Sequence, residues 1–252
     1  MKNLISSFFG AVIFYTSLPL PEFLPINFCK IALWLPYIGM ILACILTVVE
    51  FVLDLIGFPP LVKSVLILSA WLYLTGALHF DGVIDTGDGF GVLGDVKQRL
   101  EVMQDSRVGA YGLIFGIIVI LLKITAIYEV SVPLWWALLV AMTWARWGQL
   151  GAIALYPYAK EEGKGAFLKK ELNFPLDGFI GSLFIVFLGL IEFYLLNHSW
   201  IEILTTMIIS ATITLVTGWL LQKPFSGHTG DTYGATVEWS EALILCFFTI
   251  SN

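Results

Sequence analysis

Residues Ala110–Leu155 read AYGLIFGIIVILLKITAIYEVSVPLWWALLVAMTWARWGQLGAIAL. A segment that crosses hydrocarbon must satisfy its own backbone donors and acceptors, so a spanning helix needs about twenty consecutive, mostly apolar residues. This stretch supplies two such runs, Ala110 to Tyr128 and Val132 to Leu155, with a short turn between them. Five more lie outward of it, at Ile31 to Leu53, Leu61 to His79, Gly178 to Leu196, Trp200 to Leu221 and Ala235 to Ile250. The last is the weakest, because Glu238 and Glu241 interrupt its start. The expected fold is all-α: one membrane-embedded domain over residues 1–252 with about seven transmembrane helices. Ahead of them Leu4 to Leu18 is apolar but short, and Pro19, Pro21 and Pro25 stop it. It reads as a re-entrant or interfacial helix rather than a cleaved leader, since only Lys2 precedes it and Ser17-Leu18-Pro19 is a poor cleavage site.

Composition agrees with that reading. Of 252 residues, 58% are apolar and 13% charged, and the mean hydropathy is +0.89, which leaves too little polar surface to cover a water-soluble globule. A formal charge of −6 argues against a nucleic-acid partner, whose phosphates select a basic surface. Cys29, Cys44 and Cys246 are scattered through or near apolar stretches and show no metal or redox spacing. Basic residues mark the cytoplasmic side, because short loops rich in them are retained there. Lys97, Arg99, Arg107, Lys160, Lys164, Lys169, Lys170 and Lys223 follow the second, fourth and sixth runs, and Lys2 and Lys30 lie at the start. The opposite loops, around Gly57, Ser131 and Asn197, read as free of them. This places the N-terminus inside and the C-terminus outside.

The chemistry-bearing residues sit at the basic surface. After the second run comes His79-Phe80-Asp81-Gly82-Val83-Ile84-Asp85-Thr86-Gly87-Asp88-Gly89. If the helix continues, Asp81, Asp85 and Asp88 fall at i, i+4 and i+7 and share one face. Like charges stacked in this way need a cation, and hard oxygen ligands suit Mg²⁺ or Mn²⁺ beside phosphate. Asp105, just before the third run, is a fourth expected ligand, and Arg107 next to it an expected phosphate contact. Within the runs, Lys123 and Arg146 are expensive in lipid and should face protein, water or an anionic ligand; Arg146 is the better phosphate candidate. A third element, Gly227-His228-Thr229-Gly230-Asp231 with Glu238 beyond it, offers hydrogen bonds suited to a nucleotide or second substrate. The run Thr-Gly-Asp-x-x-Gly occurs at Thr86 to Gly91 and again at Thr229 to Gly234.

These blocks resemble, in order, the signatures of the cobalamin synthase family, the adenosylcobinamide-GDP ribazoletransferases. They are His79 to Gly91, Met103 to Gly112, Tyr156 to Gly165 and Gly227 to Glu241, with Thr16 to Pro21 similar to the family's opening block. Three positions depart from the usual pattern: Ser17 replaces a common basic residue, Ser226 a glycine and Tyr233 a leucine. The resemblance implies an inner-membrane, Mg²⁺-dependent enzyme that joins adenosylcobinamide-GDP to alpha-ribazole or its 5'-phosphate and releases GMP. It implies surrounding lipid, no nucleic acid, an active site on the cytoplasmic face, and is compatible with a homo-oligomer. Asp81, Asp85 and Asp88 would then be both metal ligands and catalytic groups, with His79 as an alternative proton acceptor. A CDP-alcohol phosphotransferase shares the reaction type, but the second Asp-x-x-x-Asp of that motif is not found after Gly89. A secondary transporter would place its acids at the bilayer midplane, whereas these cluster at one surface.

Overall fold

The structure is a computed structural model that describes residues 2–160, 163 and 165–250, without the side chains of residues 2 and 3. Lys164 and the side chain of Lys2, both part of the charge asymmetry, lie outside the described residues. All regular elements among the described residues are helical. The chain runs α1 (Lys2–Tyr15), α2 (Leu35–Ile56), α3 (Pro60–Leu74), α4 (Leu78–Gly91), α5 (Val96–Val102), α6 (Ala110–Glu129) and α7 (Leu134–Leu155). It continues through α8 (Ala166–Glu171), α9 (Leu176–Ser182), α10 (Phe184–Leu195), α11 (Trp200–Gln222) and α12 (Gly230–Ile250). The hub is α7, buried along most of its length and packed against α2, α11 and α12. Lipid tails are as apolar as leucine, so association rests on close packing and on polar contacts between helices.

Among the described residues, five segments are long and apolar enough to cross a bilayer: 31–56, α6, α7, 176–195 and 200–225. A sixth is reached only by counting α3 and α4 as one, so the expected count of seven is not met. Two of the seven expected runs differ for separate reasons. The second breaks where Gly76 and Ala77 take left-handed φ values of 57° and 52°, and α4 leaves α3 at 93°. The last is a helix that begins five residues before the apolar run, at Gly230, and its acids keep it out of the set of apolar spans. At fourteen residues α1 is too short to cross, and it buries Ala11, Val12 and Tyr15 against the rest of the protein. The Gly57 turn is not free of basic charge: Lys63, in the first turn of α3, lies 2.6 Å from Asp54.

Candidate active site

The acid-bearing helix α4 lies beyond the bend, outside the five spanning segments, between α6 and α12. Its approach to α12 is set by two glycines. A Cβ on Gly82 would collide with the Asp231 carbonyl, and one on Gly234 would press on the backbone of His79. The two backbones therefore meet, and the start of α12 is held against the first turns of α4.

This contact joins residues that the sequence keeps 150 positions apart. A cavity of about 590 Å³ opens between α4, the Gln104–Val108 loop, the Tyr158–Lys160 segment and the start of α12. Asp81 and Asp85 line it from α4, and Asp231 from α12. Burial, and then the charges of Asp231, Asp81 and Asp88, push the Asp85 carboxyl up to about 7. Burial also raises Asp231, against the opposing pull of Lys160. Among the described residues, Lys160 and Arg107 are the cations on the cavity wall. In the sequence, Lys160 stands out only as an orientation signal and Asp231 only as a substrate contact. The one available clue to Lys160 was its place in a block that resembles the family's signatures.

The other expected ligands are arranged differently. Asp88 accepts hydrogen bonds from Gly109 N at 2.7 Å and Gly112 N at 2.8 Å, so it caps the N-terminus of α6 with both carboxylate oxygens. It does not line the main cavity. Asp105 does, but its carboxylate is gripped by Arg107, with Nε–Oδ1 at 3.0 Å and Nη2–Oδ2 at 2.6 Å. That pairing holds Asp105 down at about 2. Among the described residues, no three His, Cys, Asp or Glu side chains come together tightly enough to hold an ion unaided. Mg²⁺ needs no such cage, since it is usually held by one or two carboxylates together with substrate phosphate oxygens and water. The all-oxygen donor set of Asp81, Asp85 and Asp231, with mutual repulsion at its centre, fits that mode.

Glycine-rich residues 227–231 mainly build the wall. The His228 N–H donates to the Pro157 carbonyl at 2.9 Å, and its own carbonyl accepts from Ala159 at 2.7 Å, which fixes the segment carrying Tyr158 and Lys160. Thr229 and Thr232 cap the start of α12 reciprocally, each hydroxyl accepting from the other's backbone N–H. The His228 ring is fully buried, 3.0 Å from the Thr232 hydroxyl, and burial holds it down at about 4, so it is neutral near pH 7. Ser226 takes a left-handed φ of 55°, which explains why a glycine suits the position. Ser17 donates to the Tyr73 carbonyl and ties the proline-rich segment to the end of α3. The two Thr-Gly-Asp runs do different work: Asp88 caps a helix, while Asp231 faces the cavity.

Arg146 and Glu238, expected at the substrate, belong elsewhere. Lys123 Nζ lies 2.6 Å from both Glu238 and Glu241, and Arg146 Nη1 lies 2.6 Å from Glu241. None of the four side chains is more than 1% exposed. A charge inside a membrane protein is tolerable when paired, and here two cations meet two anions between α6, α7 and α12. Neither Arg146 nor Glu238 lines the cavity. Their role is to join these helices. His79, 3% exposed, also lies off the carboxylate face and lines a neighbouring space instead.

Comparison with known proteins bears on the same residues. Residues 7–249 match the family model described as cobalamin-5-phosphate synthase. The chain is 47% identical over 239 residues to the adenosylcobinamide-GDP ribazoletransferase of a Synechocystis species, covering 94% of this chain and 91% of that one. The protein of the same name from Trichormus variabilis is 42% identical over 250 residues, 99% of each chain. That of Brevibacillus brevis is 34% identical over 245 residues, 96% of each. No solved structure matches. With nearly the whole length matched and the acidic blocks assembled around one cavity, the chain belongs to the cobalamin-5-phosphate synthase family.

Proposed function

We propose that this protein transfers the cobinamide phosphate of adenosylcobinamide-GDP to alpha-ribazole or its 5'-phosphate, with release of GMP. The observation that carries the reading is the meeting of Asp81, Asp85 and Asp231 opposite Lys160 in one open cavity. Phosphoryl transfer depends chiefly on positioning and on neutralising charge. The acceptor hydroxyl attacks the phosphorus bonded to cobinamide, the bond to the bridging oxygen breaks, and GMP leaves with that oxygen. Asp81, Asp85 and Asp231 would hold a divalent cation, Mg²⁺ by preference or Mn²⁺, which when bound offsets charge on the diphosphate. Lys160 and Arg107 supply positive charge at the wall, and an Asp85 oxygen accepts the proton of the attacking hydroxyl. The presence of both cations at the cavity supports its placement on the cytoplasmic face of the inner membrane, with α1 lying at the interface. Because the charges within the bundle are mutually paired, they give little support to a transport pathway.

The test is GMP release by purified protein in detergent, given adenosylcobinamide-GDP, alpha-ribazole 5'-phosphate and Mg²⁺. Release should stop in EDTA and in Asp81→Ala. Undiminished release in both, or none from the parent protein under any divalent ion, would overturn the assignment.

A further inference from the structure

A second cavity of about 490 Å³ adjoins the acidic one and shares Asp81 and Asp231 with it. Its walls differ in kind. Phe14 and Tyr15 of α1, Phe167 of α8 and Tyr233 of α12 give it an aromatic lining. Set into that lining are polar groups with nothing to bind: both ring nitrogens of His79, the side-chain carbonyl oxygen of Gln149, and the hydroxyls of Tyr15 and Tyr233. His79 and Gln149 are each 3% exposed, and the two tyrosines 1%. Buried polar atoms are rarely left unpaired, and several orphans around one space point to a ligand that completes them. A small-molecule site with mostly apolar walls and a few convergent polar atoms selects a flat, weakly polar molecule.

We propose that this cavity seats the acceptor nucleoside by its aromatic base, with His79 and Gln149 as polar contacts of the nucleoside, the Gln149 carbonyl oxygen accepting from a ribose hydroxyl. The inference rests on the transferase reading, and it fits the geometry: a base held among Phe14, Phe167 and Tyr233 has its ribose at the wall formed by Asp81 and Asp231. The donor's guanine is the more polar of the two bases, and walls that are chiefly aromatic favour the less polar one. A corrin macrocycle is too large for the space. His79 thereby serves as a binding group for the acceptor.

The experiment uses the full chain in lipid nanodiscs and has two arms. In the first, binding of alpha-ribazole is followed by its own fluorescence in EDTA with no donor present; Phe167→Ala and Gln149→Leu should each weaken it at least tenfold. In the second, GMP release gives the KM of each substrate, and the same variants should raise the acceptor's KM tenfold or more while the donor's stays within twofold, which also shows that they fold. Asp85→Asn should lose GMP release and keep alpha-ribazole binding. A rise in the donor's KM rather than the acceptor's would assign the cavity to guanosine and overturn the proposal. Alpha-ribazole binding that is unchanged in both variants and in His79→Phe, alongside normal GMP release, would overturn it and leave the transferase reading standing. Binding that depends on Phe167 without any GMP release would do the reverse.

Discussion

Two groups of charges a few turns apart on α12 have opposite characters. Glu238 and Glu241 are matched by Lys123 and Arg146 within 2.6 Å and are closed off from solvent. Asp231, at the helix start, faces Asp81 and Asp85 across open space, with Lys160 as a partial counterweight. In the first group each charge has an opposite charge from the protein itself against it. In the second, like charges gather and the Asp85 and Asp231 carboxyls are pushed upward, a condition that costs stability and is kept where a ligand relieves it. Matched charges mark scaffold here, and unmatched ones mark the site.

Substitutions on either side of this contrast should behave differently. Lys123→Met leaves two glutamates inside the bundle with only Arg146 to offset them, and should cost about 3–5 kcal/mol, read as loss of monodisperse protein on size exclusion. Equal stability to the parent would mean that the network is not holding the helices. Asp85→Asn should lower GMP release by roughly 100- to 1000-fold and yet make the metal-free protein more heat-resistant. The sign follows from its raised carboxyl: ionisation is disfavoured in the fold, so the penalty is present in full above about pH 7 and fades toward pH 4. The gain in melting temperature in EDTA should therefore be greatest near pH 8 and vanish in acid; a uniform gain would deny the crowding.

Asp88→Ala tests the division within α4. It removes a two-bond cap from α6 and should cost about 1–2 kcal/mol in thermal stability, an effect that Asp85→Ala should not show. Smallest is Arg107→Ala, in an exposed pair worth about 0.2–1 kcal/mol; the donor's KM should rise by no more than about fivefold. A loss of turnover as deep as that of Asp85→Asn would move Arg107 from the rim to the reacting phosphate.

Much of this was legible beforehand. The 3.6-residue repeat put Asp81, Asp85 and Asp88 on one helix, and α4 carries all three. Periodicity does not say what a helix face meets, and so Asp88 looked equivalent to its neighbours although its oxygens are taken by Gly109 and Gly112. Arg146 and Glu238 look like ligand contacts because a sequence displays a charge without its partner, and their partners are about a hundred positions away. Asp231 joins the aspartates for the same reason in reverse, through long-range backbone contacts that Gly82 and Gly234 permit. The bend after α3 was hidden by Ala77, whose left-handed backbone is unusual for a residue with a side chain.

The interlock of Gly82 with Asp231, and of Gly234 with His79, has a consequence for life in a bilayer. A helix at the edge of the bundle such as α10, where Gly189 meets the Met207 side chain of α11 and not its main chain, can tilt as lipid thickness varies. Main chain notched into main chain cannot slide in that way, so the spacing between the aspartates of α4 and that of α12 is insulated from the depth of the surrounding lipid.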